Sequence, residues 1–289
     1  MSVLITPHEL RDLIAKGSRP HLLDVRWSLA APNGQADYVS GHLPGAVFVD
    51  LENELSLHGA RTEGRHPLPP LDYLQNAVRR WGIDDGDSVV VYDDANGLSA
   101  ARAWWLLRHA GLEDVRILDG ALAGWRAAGG ALEAGTPVVA RGTATLDYGH
   151  LPTLTIDEAA DLPGHGVLVD ARARERYLGE TEPVDPRAGH VPGAINAPTT
   201  QNVGPDGRFL SAEELRARFA GLGITSDPSV TVGVYCGSGV TAAHEIAALT
   251  IAGIDAALYP GSWSQWSNIA ERPVETTENT LAPLAESAR

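Results

Sequence analysis

The sequence predicts an α/β protein built from two tandem domains, each an open, mostly parallel sheet flanked by helices. Three observations point to it. Short apolar runs alternate with amphipathic helical stretches along the chain. The same ordered set of motifs occurs twice, offset by roughly 140–148 residues. The length of 289 residues suits two domains of about 100–200 residues each.

The elements follow in order. Thr6-Pro7-His8-Glu9 is a capping box with proline at the first helical position, and Thr155-Ile156-Asp157-Glu158 repeats the form. Each box opens a short helix. A strand then ends in a charged pair, Leu22-Leu23-Asp24-Val25-Arg26 in the first half and Val167-Leu168-Val169-Asp170-Ala171-Arg172 in the second. The turn Gly41-His42-Leu43-Pro44-Gly45-Ala46 is matched by Gly189-His190-Val191-Pro192-Gly193-Ala194, and both feed a further strand. Helices are expected over Leu71 to Trp81 and from the capping box at Ser211 to about Leu222. The β-branched runs Ser88 to Tyr92 and Val230 to Tyr235 fit buried parallel strands. An Ala- and Leu-rich helix and a short strand follow each, closing on Asp119 to Trp125 or Pro260 to Trp266. The expected domains are residues 1–135 and 153–289, joined by a linker over 136–152 where periodicity fades.

Composition narrows the function classes. A formal net charge of −15 leaves no electrostatic footprint for nucleic acid or an anionic membrane. The N-terminus shows neither the basic nor the apolar region of a signal peptide, and no apolar run approaches the ~20 residues of a membrane span. The single cysteine rules out an internal disulfide and a Cys-based zinc site. An unpaired thiol belongs in a reducing compartment, so a cytoplasmic location is expected.

That cysteine is where the two copies differ. Ligands of open α/β sheets gather beyond the carboxyl ends of strands, and the strand ending at Tyr235 delivers Cys236 to that rim, open to solvent. The loop Cys236-Gly237-Ser238-Gly239-Val240-Thr241 can curl at its two glycines and turn several N–H groups inward. A helix N-terminus then adds partial positive charge, which favours the thiolate over the thiol and suits an anion bonded to sulfur. In the first copy Asp93 stands at the cysteine's place, so that domain is a non-catalytic partner. A cysteine phosphatase would need an arginine closing the loop, and position 242 is Ala. A Cys–His pair with His244 is disfavoured, because eight residues put it about two helical turns away.

These residues resemble the tandem-domain rhodanese sulfurtransferases, from about Leu4 to Pro273. The marks are the Asp-x-Arg strands, the two Gly-His-x-Pro-Gly-Ala turns, the Cys236 loop and the Gly-Ser-Trp segment at 261–263. The loop lacks the basic residue of the thiosulfate-specific members and is similar to the 3-mercaptopyruvate form. The resemblance implies two rhodanese-like domains and transfer of sulfane sulfur through a Cys236 persulfide, with Gly237, Gly239, Val240 and Thr241 around the sulfur. It implies Arg176 and Arg187 as the clamp for the donor's carboxylate and keto oxygen, and Ser238 with His42 as a proton relay whose acid partner is open. The expected partners are a small-molecule sulfur donor and a thiol acceptor such as thioredoxin, or cyanide, with no metal or organic cofactor. Thiosulfate as donor, and a persulfide carrier with poor turnover, are the alternatives.

Overall fold

The computed structural model describes residues 2–279. Met1 and residues 280–289, which the expected domain limits include, lie outside the described residues. The chain divides into two compact units: Met1–Gly59, His66–Pro152 and Val203–Phe209 form one, and Ala60–Arg65, Thr153–Asn202 and Leu210–Arg289 the other. Two short segments are therefore assigned to the unit opposite to their place in sequence. Residues expected to be a linker pack on the first unit instead. Gly142 N donates to Arg79 O at 2.8 Å and Ala144 N to Ile83 O at 3.1 Å, while Thr143 Oγ1 donates to Asp84 at 2.6 Å. A Cβ at Gly142 would run into the Ile83 backbone, which is why this contact takes a glycine.

In the first unit, strands β1 (Leu4–Ile5), β2 (His21–Asp24), β3 (Val47–Phe48), β4 (Val89–Tyr92) and β5 (Val115–Leu118) form one sheet in the order β1-β5-β4-β2-β3. In the second, β6 (Val167–Asp170), β7 (Ile195–Asn196), β8 (Val232–Tyr235) and β9 (Ala257–Leu258) are ordered β7-β6-β8-β9. Every strand pair in both sheets is parallel. The registers repeat: Asp24 pairs with Tyr92, and Asp170 with Tyr235. Among the described residues the second sheet has no counterpart of β1; an isolated parallel bridge between Thr153 and Leu258 stands in that position.

The three capping boxes form as the sequence predicts, ahead of helices Pro7–Ala15, Ile156–Asp161 and Ala212–Gly221. Strands β2 and β6 end at their aspartates, short of the arginines. The reason is a buried ion pair. Arg26 folds back onto Asp24 with Nη2 2.7 Å from Oδ2, and Arg172 onto Asp170 at 2.6 Å. The same Nη2 atoms donate to Gly41 O at 2.6 Å and Gly189 O at 2.7 Å. The Asp-x-Arg and Gly-His-x-Pro-Gly motifs are thus two halves of one device that ties a strand end to the following turn.

Candidate active site

The second unit builds a tight cradle after β8. Trp263 N donates to Cys236 O at 3.0 Å and Ser264 N to Gly237 O at 2.8 Å, while Cys236 N donates to Ser262 Oγ at 3.2 Å. Gly239 takes a left-handed backbone (φ +79°), and a Cβ there would meet Pro260 O at 2.5 Å. That turn brings Gly239 N to 3.2 Å from Cys236 Sγ. Helix Thr241–Ile251 starts immediately beyond. One expectation is corrected here: Cys236 is 1% exposed and lies on the floor of the loop, not at an open rim. Its neighbours Ser238 and Val240 are buried as well. Within the unit, Gly239 N reaches the sulfur and the 262–264 segment bonds the backbone of Cys236 and Gly237.

The first unit shows what such a cradle binds. Asp93 follows β4 as Cys236 follows β8, and its backbone is held alike, with Leu122 N donating to Asp93 O at 2.9 Å. Its buried carboxylate accepts four backbone N–H bonds, from Ala95 (2.9 Å) and Gly97 (2.8 Å) on Oδ1 and from Ser99 (2.8 Å) and Ala100 (2.9 Å) on Oδ2. Asn96 is left-handed at φ 59°, as Gly239 is at the matching place. Burial raises the Asp93 pKa and the four amides pull against that rise; the short acidic side chain fills the ring, as expected of a nest at a helix start.

Around the mouth of the Cys236 loop the second unit gathers charge. A Cβ placed on Gly237 would lie 3.5 Å from Arg176 Nη1 and 3.6 Å from Arg65 Nη2, so two guanidinium groups face the residue beside the sulfur. Arg176 is held by Glu182 at 2.7 Å and lies 3.5 Å from Asp185. Arg65 pairs with Asp185 at 2.8 Å. The segment that brings Arg65 here is anchored to the loop: Arg65 N donates to Ser264 Oγ at 3.0 Å, and Gln265 Nε2 donates to Thr62 O at 3.0 Å.

Of the expected site residues, the second unit brings together Cys236, Gly237, Ser238, Gly239, Val240, Thr241 and Arg176. Arg187 does not face the loop. Its three nitrogens donate to the carbonyls of Ser267 (2.9 Å), Arg272 (2.7 Å), Trp266 (2.7 Å) and Ile269 (2.7 Å), so it staples the chain after helix Ser262–Trp266. His42 belongs to the first unit. It is wholly buried, its Nδ1 donates to Tyr38 O at 2.9 Å, and its ring stacks on Tyr38 at 4.1 Å. His190 repeats this with Tyr177 O at 2.7 Å and a stack at 3.7 Å. The two histidines thus share their Nδ1 bond and their stacking, while among the described residues Nε2 has a partner only at His190, where Asn279 Nδ2 lies 3.3 Å away. Trp263 and Trp266 are buried core, and His244 is buried with Nδ1 2.8 Å from Thr199 Oγ1.

Sequence reasoning missed Arg65, which lies far from Cys236 in the chain and on no periodic element. It also missed a buried histidine–carboxylate pair in the first unit, where Glu52 accepts from His66 Nε2 (3.1 Å) and Trp27 Nε1 (2.7 Å). Neither follows a repeated motif. The only available signal is the adjacent Arg65-His66 before Pro67-Leu68-Pro69-Pro70. Among the described residues, no group of three or more His, Cys, Asp or Glu is placed to hold a metal ion, and no helix is long and apolar enough to cross a membrane.

Comparison with known proteins agrees with this arrangement. A putative thiosulfate sulfurtransferase, SseB, of Mycobacterium tuberculosis is 50% identical over 277 residues, covering 94% of this chain and 96% of that protein. A probable 3-mercaptopyruvate sulfurtransferase of Pseudomonas aeruginosa is 46% identical over 278 residues, covering 92% and 96%. The crystal structure of SseA from Escherichia coli, a 3-mercaptopyruvate sulfurtransferase with the rhodanese fold, superposes with a TM-score of 0.80 at 33% identity over 91% of this chain and 99% of that one. The rhodanese-like domain model matches twice, over residues 6–128 and 155–269. With the fold duplicated and a single cysteine cradled in the second copy, the chain belongs to the rhodanese-like family as a tandem-domain sulfurtransferase.

Proposed function

We propose that this sulfurtransferase draws its sulfur from 3-mercaptopyruvate and passes it on through a Cys236 persulfide. The supporting observation is the filled cradle of the first unit. The terminal sulfur of a persulfide stands two bonds beyond Cβ, as the Asp93 oxygens do. An amide nest that holds four N–H bonds on a carboxylate in one copy suits an anion of that reach in the other, where Cys236 takes the same position.

In the first step the Cys236 thiolate attacks the donor's sulfur. The C–S bond breaks, its electron pair goes to the pyruvate enolate, and the proton from the donor thiol ends on carbon to give pyruvate. The loop N–H groups stabilise the persulfide anion, as preorganised donors do. In the second step the acceptor, a thiolate or cyanide, attacks the outer sulfur and returns the Cys236 thiolate, giving ping-pong kinetics. Thioredoxin is one acceptor of that class, and a lone thiol fits a reducing cytoplasm.

The choice of donor rests on charge. Residues 236–241 contain no cation, and the arginines at the mouth are matched by carboxylates, which suits a directional carboxylate more than a compact dianion such as thiosulfate. Steady-state comparison of the two donors with cyanide tests this. A higher kcat/KM for 3-mercaptopyruvate is expected, and a higher value for thiosulfate would overturn it. Cys236→Ser must abolish transfer, and intact-mass analysis of the wild type after donor treatment must show the gain of one sulfur atom. Gain without turnover would point to a carrier, and no gain would refute the persulfide.

A further inference from the structure

The arginines at the Cys236 loop end a line of alternating charges. Asp170, Arg172, Glu182, Arg176, Asp185 and Arg65 follow one another at 2.6, 3.4, 2.7, 3.5 and 2.8 Å. Three acids meet three bases, so the line is formally neutral. Its inner end is fully buried, the carboxylates of Glu182 and Asp185 are 4% and 2% exposed, and Arg65 at the outer end is 27% exposed. The Glu182 carboxylate also accepts the N–H groups of Val184 and Asp185, both at 3.1 Å. The acids are therefore fixed, and the arginines are oriented by them.

What the orientation leaves over is specific. Arg176 uses Nε and Nη2 on Glu182, and Arg65 uses Nη1 on Asp185. The nitrogens nearest Gly237 are the other two, Arg176 Nη1 and Arg65 Nη2, and neither has a hydrogen-bond acceptor among the described residues. Two guanidinium edges thus present spare N–H donors toward the residue adjoining the sulfur, while their net charge is cancelled behind them. Forked donors without net charge recognise geometry: a planar carboxylate takes two parallel N–H bonds. A compact dianion gains chiefly from unbalanced positive charge, which Asp185 withholds.

We propose that Arg65 is a specificity-determining residue that, together with Arg176, reads the donor's carboxylate, and that Asp185 sets the selectivity by fixing Arg65 and cancelling its charge. This rests on Cys236 accepting sulfur from a 2-keto acid thiol, and it assigns to Arg65 the place expected for Arg187.

The test is kcat/KM for 3-mercaptopyruvate and for thiosulfate, with cyanide as acceptor, on the full chain and three variants. Arg65→Gln is expected to lower kcat/KM for 3-mercaptopyruvate roughly 10- to 100-fold, mainly through KM, with a smaller effect on thiosulfate, as loss of ground-state binding requires. Arg65→Lys keeps the charge without the fork and is expected to recover less than half of that loss on a logarithmic scale. Asp185→Asn frees one positive charge and is expected to shift the donor ratio toward thiosulfate about tenfold. Wild-type preference for 3-mercaptopyruvate with a donor ratio unchanged within twofold in Arg65→Gln or Asp185→Asn overturns the assignment and spares the function. Wild-type preference for thiosulfate overturns the function itself. Urea midpoints of the variants separate misfolding from lost recognition. Arg65→Lys, at a partly exposed side chain, keeps the question decidable if Asp185→Asn fails to fold, because full activity toward 3-mercaptopyruvate in that variant also refutes the fork.

Discussion

Replacing Asp93 with alanine removes the acceptor of four backbone N–H groups without touching the nucleophile. Those groups lie at 2.8–2.9 Å from the carboxylate, and Asp93 is fully buried. A hydrogen bond to a charged group contributes about 1.5–3 kcal/mol, and an orphaned buried donor costs about 1–3 kcal/mol. Those contributions do not add, since desolvation of the carboxylate is recovered and water can enter the space, so the net loss is about 3–5 kcal/mol, as for other broken buried charge networks. For a unit of this size each kcal/mol shifts the midpoint by roughly 2–4 °C, so Asp93→Ala is expected to melt about 6–20 °C lower by calorimetry. Asp93→Asn is nearly isosteric, yet it turns an NH2 group toward one pair of N–H groups and is expected to fall at least half as far. Sulfur transfer, measured well below the transition, stays within severalfold of wild type because Cys236 is in the other unit. A midpoint shift below about 2 °C in both variants would show that the nest does not need an anion, and the comparison with the Cys236 cradle would fall with it.

Arg187→Ala deprives four carbonyls of their donor and is expected to destabilise the second unit by roughly 2–4 kcal/mol in urea unfolding, with KM for 3-mercaptopyruvate unchanged within twofold. A large rise in KM at retained stability would return Arg187 to the clamp. Gly239→Ala forces a left-handed alanine against Pro260 O and should reduce transfer at least 100-fold, while Gly221→Ala, where a Cβ meets nothing within 4 Å, leaves it unaltered. Burial pulls the His190 pKa below its ordinary 6.5, so the folded state binds fewer protons than the unfolded one. The stability this contributes is complete above pH 6.5 and is lost as pH falls toward the lowered folded value. His190→Gln should flatten the dependence of midpoint on pH in that window, and an unchanged slope would place the titration elsewhere.

The duplication was legible because each copy spends its motifs on backbone needs that have sequence signatures. Capping boxes must satisfy N–H groups, the Asp-x-Arg pair must bridge to the next turn, and the apolar runs must fill a parallel sheet. The cysteine loop was legible for the same reason, since a glycine in a left-handed turn and a helix start are local matters. Two site residues were not. Arg187 lies where a resemblance puts a substrate arginine, but four carbonyls at the end of a five-residue helix claim it, and carbonyl acceptors leave no trace in side-chain sequence. Arg65 faces Gly237 where its segment bonds Ser264 and Gln265 and Gly64 approaches Gly261 so closely that a Cβ would meet its carbonyl at 2.8 Å. Such a pairing of segments almost 200 residues apart is tertiary and has no local pattern. The exposure expected for Cys236 failed likewise, since a strand end and a glycine loop carry no record of what the rest of the chain lays over them.

That enclosure bears on why the first copy keeps its cradle without a nucleophile. An amide nest with nothing inside is a set of buried unpaired donors, each costly. The first copy resolves this permanently with the Asp93 carboxylate, whose oxygens reach all four amides. In the second the Sγ atom ends one bond short of that reach, and Gly239 N lies 3.2 Å from it. Adding one sulfur atom extends the side chain by the missing bond and places negative charge where the carboxylate oxygens stand in the sister copy. On this argument the persulfide is the state in which the second cradle is best satisfied, so sulfur loading should raise the melting midpoint of the wild-type protein. Calorimetry before and after treatment with 3-mercaptopyruvate, with cyanide added to strip the sulfur again, measures it. A midpoint that does not rise on loading, in protein whose mass shows the added sulfur, would mean that the two cradles share a backbone without sharing a purpose.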